Sequence, residues 1–389
     1  MSLIVTLQRV YADYFSLDMS KNVNYTTKPG YQDVLEIARR YNEPKDDIER
    51  AYCQYLCSVS HLGMGKRAVI NILAALLILP YLIKMRLAKN PKREIADAVF
   101  LAAEHISDGV IPRSIMEQYP RMVHVVPECG MKLNAGSLKH LCSVMKRTPF
   151  HPYFHLKVAI KLGFLVHAMQ KYEPKAIIHN TESSFACSVL TSYCESTGVP
   201  YIGVMHGEYL VNPKDAFFRC SKFYVWDSHY EQMLKGIRCY ANQFVIEAAP
   251  NLDVRIVPVP ENERVDYIFY LQKESEEEVK RLSNSFCSLR DKGYSVLLRP
   301  HPKFFDNELY VNYFGPEVLS CLDTDPLNRS LSKTRCAVGR FTTVLYQAYR
   351  AGLEVVIDDI TNPELIDYLQ RANYVMLNKP HRLLSEIVY

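Results

Sequence analysis

Short apolar runs followed by helical patterns recur along most of the chain, and this alternation restricts its fold more than any other feature. Parallel strands need a crossover between them, and that crossover is usually a helix. The alternation therefore predicts βα units that build parallel sheets. In the first two thirds of the chain the predicted strands are Ala98–Ala103, Val123–Val126, Ala176–His179, Tyr201–Met205, Lys222–Trp226 and Gln243–Ile246.

A second series of the same kind follows Val257–Pro260, where two prolines interrupt the pattern. Residues before 96 instead show helical patterns, at Gln32–Arg40 and Asp46–Cys57. The expected fold class is thus α/β, with a helical N-terminal part (residues 1–95) and two doubly wound, Rossmann-like domains (96–260 and 261–389). The predicted strands of the second domain are Tyr267–Leu271, Ser295–Leu298, Val318–Leu322, Ala337–Val338 and Glu354–Ile357.

Composition and missing motifs exclude several classes of protein. With 48% apolar residues among 389, the chain can bury a large core and is not disordered. A net charge of +4 is too small for a dedicated nucleic-acid binder. The fingerprints Gly-x-Gly-x-x-Gly and Gly-x-x-x-x-Gly-Lys-Ser/Thr are both missing, which disfavours dinucleotide-dependent dehydrogenases and P-loop enzymes. No metal-ligand spacing occurs either, so the sequence predicts neither a metal nor a cofactor.

The cysteines and the start of the chain bear on its location. Eleven cysteines, an odd number, occur without a Cys-x-x-Cys pair, which indicates reduced thiols in a cytosolic protein. The first residues lack the basic and apolar regions of a secretion signal. We therefore expect a cytoplasmic protein.

The segment Ala68–Ile83 is almost entirely aliphatic and has basic residues on both sides. It is shorter than the ~20 apolar residues that cross a bilayer. Two interpretations remain open: a buried core helix, or a helix that lies on an anionic membrane surface. The second would attach the protein peripherally to the inner face of the cell membrane.

The residues that follow strand Ser295–Leu298 form a rigid, cationic corner. Two prolines stop the chain from continuing as a helix and fix the direction of His301. Ligands of open α/β sheets collect at the carboxyl ends of strands, so this corner suits an anion such as a phosphodiester. The candidate donor-binding residues are Arg299, His301, Pro302 and Lys303; the alternative is a surface turn with incidental basic residues.

A second candidate anion site follows strand Ala337–Val338. Gly339 and Arg340 lead to Thr342 and Thr343, which open an apolar helix. Thr342 is placed to cap that helix, and the free N–H groups of a helix start attract a phosphate. Because both stretches end strands of the same domain, they are expected to converge on one ligand.

The end of strand Tyr201–Met205 carries His206, Gly207 and Glu208. An imidazole suits the deprotonation of a hydroxyl, because its unperturbed pKa of ~6.5 lies close to working pH. Gly207 would let an acceptor approach the backbone. Glu208 would either orient the imidazole or itself be the base; the alternative for His206 is a buried, hydrogen-bonded core histidine.

Other polar residues should share that edge of the sheet. Asn180 and Glu182 follow strand Ala176–His179 and are candidates for binding acceptor hydroxyls, although a helix cap explains them equally well. Glu104 and Glu128 also follow strands and compete with Glu208 for the role of base.

The pairs His301–Pro302 and Thr342–Thr343 carry a family resemblance. A strand that ends in His-Pro, followed by a strand that ends in paired Ser/Thr, resembles the second domain of bacterial GT-B glycosyltransferases that use CMP-activated sugars. These include sialyltransferases, polysialyltransferases and Kdo-transferring capsule enzymes. In that family the histidine contacts the donor phosphate and the Ser/Thr pair holds the CMP moiety.

The first domain departs from that family. The family has a strand-end acidic motif where this chain has His206-Gly207-Glu208. A strand-end His-Gly is instead similar to CDP-glycerol polymerases of teichoic acid synthesis, in which the histidine acts as the base.

Together the resemblances imply a metal-independent, inverting GT-B glycosyltransferase. It would move an acidic, sialic acid-like or Kdo-like sugar from a CMP-sugar to a surface glycan acceptor, in capsule or lipopolysaccharide biosynthesis. The alternatives are a CDP-polyol phosphotransferase of the same architecture and a non-catalytic GT-B-like assembly partner.

Overall fold

The computed structural model describes residues 25–126, 130–302 and 304–389. Glu128 and Lys303, two of the candidates named above, lie outside the described residues. The described chain forms two parallel β-sheets with helices packed on them, which confirms the predicted α/β class with two Rossmann-like sheets.

The first sheet has the strand order β2-β1-β3-β4-β5-β6, and every adjacent pair is parallel. Its strands are β1 (Ala98–Leu101), β2 (Met122–Val125), β3 (Ala176–His179), β4 (Tyr201–Val204), β5 (Lys222–Val225) and β6 (Phe244–Ile246). The helices of this part are α1 (Tyr31–Arg39), α2 (Asp47–Val59), α3 (Met64–Leu87), α4 (Arg113–Gln118), α5 (Ala135–Arg147), α6 (Pro152–Tyr172), α7 (Cys187–Ser196) and α8 (Ser228–Gly236). The winding direction reverses between β1 and β3, and ligands of open α/β sheets bind at such a point.

The second sheet is also parallel, with the order β11-β10-β9-β7-β8. Its strands are β7 (Val265–Tyr270), β8 (Val296–Arg299), β9 (Thr334–Gly339), β10 (Glu354–Ile357) and β11 (Arg382–Leu383). Its helices are α9 (Glu276–Asp291), α10 (Asn307–Phe314), α11 (Leu327–Lys333), α12 (Thr343–Arg350), α13 (Pro363–Arg371) and α14 (Ser385–Val388). All strands of the first sheet precede residue 260 and all strands of the second follow it, while the three domain boundaries themselves stay predictions.

One predicted strand, Val318–Leu322, is wrong. Residues 318–321 belong to a 3-10 helix, Pro316–Cys321, and Leu322, which follows it, forms an isolated parallel bridge with Leu298 of β8. A short apolar run of this length does not distinguish a strand from a helical turn. Here Pro316 begins the turn, because its fixed φ suits the first helical position.

Helix α3 contains the aliphatic segment, and the buried-core interpretation of that segment is wrong. Only 17% of its most apolar 18-residue window is buried. The buried residues are Ile70, Ala74, Tyr81 and Met85. Met85 packs directly against Gly163 of α6, where a side chain would not fit, since a Cβ at Gly163 would lie 2.5 Å from the Met85 sulfur. One side of α3 therefore packs on the protein and the rest is exposed.

The parts of the chain that carry the two sheets contact each other directly. The Lys379 ammonium lies 2.6 Å from the Asp227 carboxylate, which follows β5. The Gln347 side chain in α12 donates a 2.7 Å hydrogen bond to the Asn251 carbonyl. The residues that follow β4 and β5 consequently face the start of α12 and the segment around Tyr374.

Candidate active site

Two sets of strand-end residues define the candidate site. We call the residues that follow the carboxyl ends of β1–β6 the first rim, and those that follow β7–β11 the second rim. Because neighbouring strands are parallel, all their carboxyl ends meet at one edge of each sheet. The sequence candidates at the ends of β4, β8 and β9 thus lie on these two rims.

His206 lies on the first rim and is exposed to solvent. Its ring has no hydrogen-bond partner among the described residues. Partial enclosure of the ring lowers its pKa, and the neighbouring charge of His105 lowers the pKa further. The imidazole is therefore neutral at pH 7 and open to a ligand, so the core-histidine alternative is wrong.

Glu208 lies deeper than His206. The Tyr230 hydroxyl donates a 2.7 Å hydrogen bond to Glu208 Oε2, while Oε1 is buried without a partner. Burial raises the pKa of this carboxyl to about 7, against the opposing effect of Tyr230. No hydrogen bond joins Glu208 to His206, so Glu208 does not orient the imidazole in this structure.

Tyrosines connect Glu208 to the second rim. Tyr374 is fully buried, and its pKa is raised well above the ordinary value, first by burial and then by the Glu208 carboxylate. The hydroxyl of Tyr374 lies beside the Thr342 backbone. Tyr346 of α12 donates a 3.2 Å hydrogen bond to the Asp227 carboxylate. Tyr374 therefore lies between Glu208 on the first rim and Thr342, the start of α12, on the second rim.

Nothing crowds the Cα of Gly207, because a Cβ built at this position would meet no atom within 4 Å. Open space therefore adjoins the backbone between His206 and Glu208. This space is where the sequence predicts that an acceptor approaches.

Glu182 follows β3 on the first rim but lies below its surface, and its predicted contact with acceptor hydroxyls stays a prediction. Its side chain is only 3% exposed, and burial raises its pKa to about 8. Asn180 is half-buried, and neither residue caps α7, whose N-cap is Ala186. A turn, in which the Ser184 N–H bonds the Thr181 carbonyl, separates β3 from α7 and explains why neither residue is the cap.

On the second rim, β7 lies between β8 and β9. His301 follows β8 and Thr342 follows β9, so their backbones are separated by two strand spacings, or about 10 Å. The Gln272 amide, which follows β7, bonds the Phe341 carbonyl between them. His301 is half-buried and its ring stacks on Phe304, with ring centroids 4.6 Å apart.

The start of α12 has the geometry that the sequence predicts. Thr342 is the N-cap, and its hydroxyl accepts a 3.4 Å hydrogen bond from the Val344 amide. A Cβ on Gly339 would lie 3.3 Å from the Thr342 methyl and 3.4 Å from Leu345, so a glycine lets β9 pass tightly against the helix start. The hydroxyl of Thr343 is half-buried at the first helical position and is not needed for the cap.

The two arginines of the second rim are already paired with carboxylates. Arg340 is buried and bonds Glu278 at 2.5 Å and Glu274 at 2.7 Å. Arg299 lies 3.0 Å from the Asp323 carboxylate, whose side chain is fully buried. A donor phosphate would have to compete with these partners, so neither arginine offers a free charge at this rim.

A group of possible metal ligands occurs elsewhere in the described chain: His179, Cys187 and Cys220, all buried. The Thr181 amide donates to His179 Nδ1 at 3.1 Å, which places the ring proton on Nε2. That nitrogen faces the Cys220 sulfur at 3.6 Å. A metal would need the Nε2 lone pair, so this group is a hydrogen-bonded part of the core.

Sequence reasoning missed the residues that join the rims, chiefly Tyr230, Tyr346 and Tyr374. A tyrosine that packs in the core and one that joins two rims look alike in a sequence, because both present an aromatic ring with a polar end. Their position in the chain could have indicated this role for one of them, since Tyr230 is the third residue after Asp227 and lies close to the end of β5.

No family model matches this sequence, and no curated protein matches it. Solved structures do resemble the fold. A structure of the wall teichoic acid polymerase TagF is 13% identical with a TM-score of 0.43, over 86% of this chain and 88% of that one. The glycosyltransferase of kitacinnamycin is 11% identical with a TM-score of 0.44, over 75% and 86%. UDP-N-acetylglucosamine 2-epimerase from Rickettsia bellii is 10% identical with a TM-score of 0.41, over 71% and 86%.

These neighbours include glycosyltransferases and one polymerase of a wall polymer, and also an epimerase. At these identities and TM-scores the similarity concerns the arrangement of the fold. It does not identify a substrate or a reaction for this chain.

Proposed function

We propose that this protein is a glycosyltransferase whose reaction takes place between the two rims. The donor, a CMP-linked acidic sugar of the sialic acid or Kdo type, binds the second rim. A surface glycan of capsule or lipopolysaccharide biosynthesis binds the first. The observation that carries this proposal is the pair His206 and Glu208 at the end of β4, with Glu208 facing Tyr374 beside the helix start at Thr342.

His206 is the proposed general base. It is exposed, lacks a hydrogen-bond partner among the described residues and adjoins the open space beside Gly207. A base must reach the proton that it removes, and this geometry favours His206 over the enclosed Glu208. The imidazole takes the acceptor hydroxyl proton while the acceptor oxygen attacks the anomeric carbon of the sugar. The bond from that carbon to the CMP phosphate oxygen breaks, so the product is inverted and CMP leaves.

The leaving phosphate is stabilised by position and charge on the second rim, without a metal. His301 donates to it from the end of β8, and the start of α12 adds the positive end of the helix dipole. The ~10 Å between the two backbones suits a nucleoside monophosphate. Thr342 and Thr343 bind the CMP moiety, while Arg340 supports the site indirectly through Glu274 and Glu278.

A panel of nucleotides tests the donor. A ligand of the native state raises the melting temperature by mass action, so CMP should stabilise the chain more than UDP or GDP. In the variant His301→Ala the affinity for CMP, measured by isothermal titration, should fall tenfold to more than a hundredfold, because a charge-assisted hydrogen bond is worth about 1.5–3 kcal/mol. His61→Ala, an exposed histidine of the other part of the chain, is the matched control.

Equal affinity of His301→Ala and the parent for CMP would contradict the donor site. Stabilisation by CMP without turnover of any CMP-sugar would instead favour a non-catalytic assembly partner.

A second candidate function is a CDP-polyol phosphotransferase. The exposed histidine followed by a glycine at the end of β4 favours it, through the resemblance to CDP-glycerol polymerases. The two reactions differ in the bond that breaks: a polyol phosphotransferase releases CMP from the CDP diphosphate linkage. Turnover of CDP-glycerol with no turnover of a CMP-linked acidic sugar would select this second function.

A further inference from the structure

Helix α3 exposes an apolar face to the outside of the molecule. Seven large aliphatic side chains contribute to it, and Leu76 and Leu79 are 69% and 63% exposed. Monomeric soluble proteins seldom leave a contiguous apolar patch of this kind without a binding role. The exposed residues, which we call the α3 outer face, are Val69, Ile72, Leu73, Leu76, Leu79, Ile83 and Leu87.

The outer face is a separate stripe from the one that packs on the protein. Each residue advances a helix by ~100°, so the outer face centres about 150° away from the stripe formed by the four buried residues. Those are Ile70, Ala74, Tyr81 and Met85. One apolar stripe of α3 therefore packs on the protein core, and the opposite stripe is free to contact another apolar surface, such as the interior of a bilayer.

Positive charge surrounds this face. The helix has no acidic residue, and Lys66 near its start and Lys84 and Arg86 near its end are all exposed. Lys89 and Lys92 continue the exposed basic series after the helix. Lysine and arginine at such borders bury their aliphatic stems and keep their charges among polar groups, which suits a lipid headgroup layer. The charge complements anionic phospholipid.

Hydrogen bonds hold α3 along the surface of the protein. The Asn71 side chain accepts from the Tyr153 amide at 3.2 Å, and the Met85 carbonyl accepts from the Leu133 amide at 3.1 Å. By length and composition α3 is apolar enough to cross a membrane. Because contacts near both ends tie it to α6 and its surroundings, it lies flat, and only its outer face is available.

We propose that the α3 outer face docks the protein on an anionic bilayer, parallel to the membrane plane, with the aliphatic stripe at the level of the acyl boundary. The partner is a membrane surface rich in phosphatidylglycerol or a similar acidic lipid. This inference does not depend on the proposed reaction, since it rests on the exposure, periodicity and charge of α3 alone.

The test is flotation of the full chain with vesicles of phosphatidylglycerol and phosphatidylcholine, compared with phosphatidylcholine alone. The double variant Leu76→Glu/Leu79→Glu should lose binding at least tenfold, because it places two carboxylates in the outer face. Both side chains are exposed, so the thermal melt should stay that of the parent. Ile256→Glu/Leu319→Glu, two exposed aliphatic residues elsewhere, is the matched control and should bind as the parent does.

Charge is tested separately. Lys84→Gln/Arg86→Gln should weaken binding about twenty-fivefold, at roughly fivefold for each basic side chain near the headgroups. Salt should weaken the parent in the same direction, since the screening length falls from ~10 Å at 0.1 M to ~3 Å at 1 M.

Four results would overturn the proposal. The first is no binding to the anionic vesicles at low salt. The second is equal binding of the parent and Leu76→Glu/Leu79→Glu. The third is a parent that dimerises while that variant is monomeric and neither binds lipid, because a second copy then covers the face. The fourth is vesicle-bound protein that neither high salt nor alkaline carbonate releases, which would mean that α3 crosses the bilayer.

Discussion

The two rims of this molecule handle charge in opposite ways. On the first rim, His206 is open to solvent and Glu208 keeps one oxygen without a partner. On the second rim, Arg340 and Arg299 are held by buried or half-buried carboxylates. An unpaired titratable group near neutrality can exchange a proton with a ligand, whereas a paired charge fixes structure. Under the proposed function, proton transfer belongs to the first rim, and the donor site on the second rim uses backbone, hydroxyl and imidazole groups.

The largest expected effect is at His206. If this residue is the base, His206→Ala should lower kcat by ~10²–10⁴ and leave CMP affinity nearly unchanged, since the donor binds the other rim. The measurement is steady-state turnover of a CMP-linked acidic sugar, paired with titration of CMP. Glu208→Gln should cost less, because the two side chains share no hydrogen bond.

The pH profile decides between the two groups. The base acts in its deprotonated form, so kcat/KM falls as pH falls through the pKa of the free base. With His206 the midpoint lies below the ordinary histidine value of ~6.5, because enclosure and His105 lower that pKa. With Glu208 the midpoint would lie near pH 7. A midpoint near 7 that disappears in Glu208→Gln would identify Glu208 as the base and contradict the role proposed for His206.

A smaller effect is expected at Arg340, and on stability more than on binding. Arg340→Leu leaves Glu274 and Glu278 buried without their cation, which typically costs about 3–5 kcal/mol of unfolding free energy. Urea denaturation measures this loss. The control is Arg281→Leu, which removes an exposed pair with Glu277 on α9 and should cost under ~1 kcal/mol.

Unchanged stability with lost CMP binding in Arg340→Leu would place Arg340 in the donor site. If Arg340→Leu keeps the urea midpoint of the parent and loses CMP, then Arg340 binds the donor, and the second rim is not neutralised in the working enzyme.

The sequence predicted the bounds of the strands better than the burial and pairing of the charged residues that follow them. Strands β3 and β10 have the predicted bounds, because each has a buried, β-branched apolar centre and is bordered by polar residues. The cap at Thr342 was predictable for the same local reason. Glu182 and Arg340 were not, since their burial depends on residues far away in the chain, such as Gln54 beside Glu182 and Glu274 beside Arg340. Local pattern fixes which residues end a strand, while packing across the fold decides whether their charges stay free.

The smallest expected effect separates a cap from a binding group at the start of α12. Thr342→Ala removes the hydroxyl that accepts from Val344, and loss of such a cap costs about 0.5–2 kcal/mol of unfolding free energy. Thr342→Ser keeps the hydroxyl and should restore most of it. Thr343→Ala removes a hydroxyl that the cap does not use, so its stability should match the parent within about 0.5 kcal/mol. If the helix start binds the donor, Thr343→Ala should still weaken CMP severalfold, measured by titration, because a neutral hydrogen bond is worth about 0.5–1.5 kcal/mol. A Thr343→Ala protein with unchanged stability and unchanged CMP affinity would reduce the second rim to a capped helix, and the contrast between the rims would then rest on the first alone.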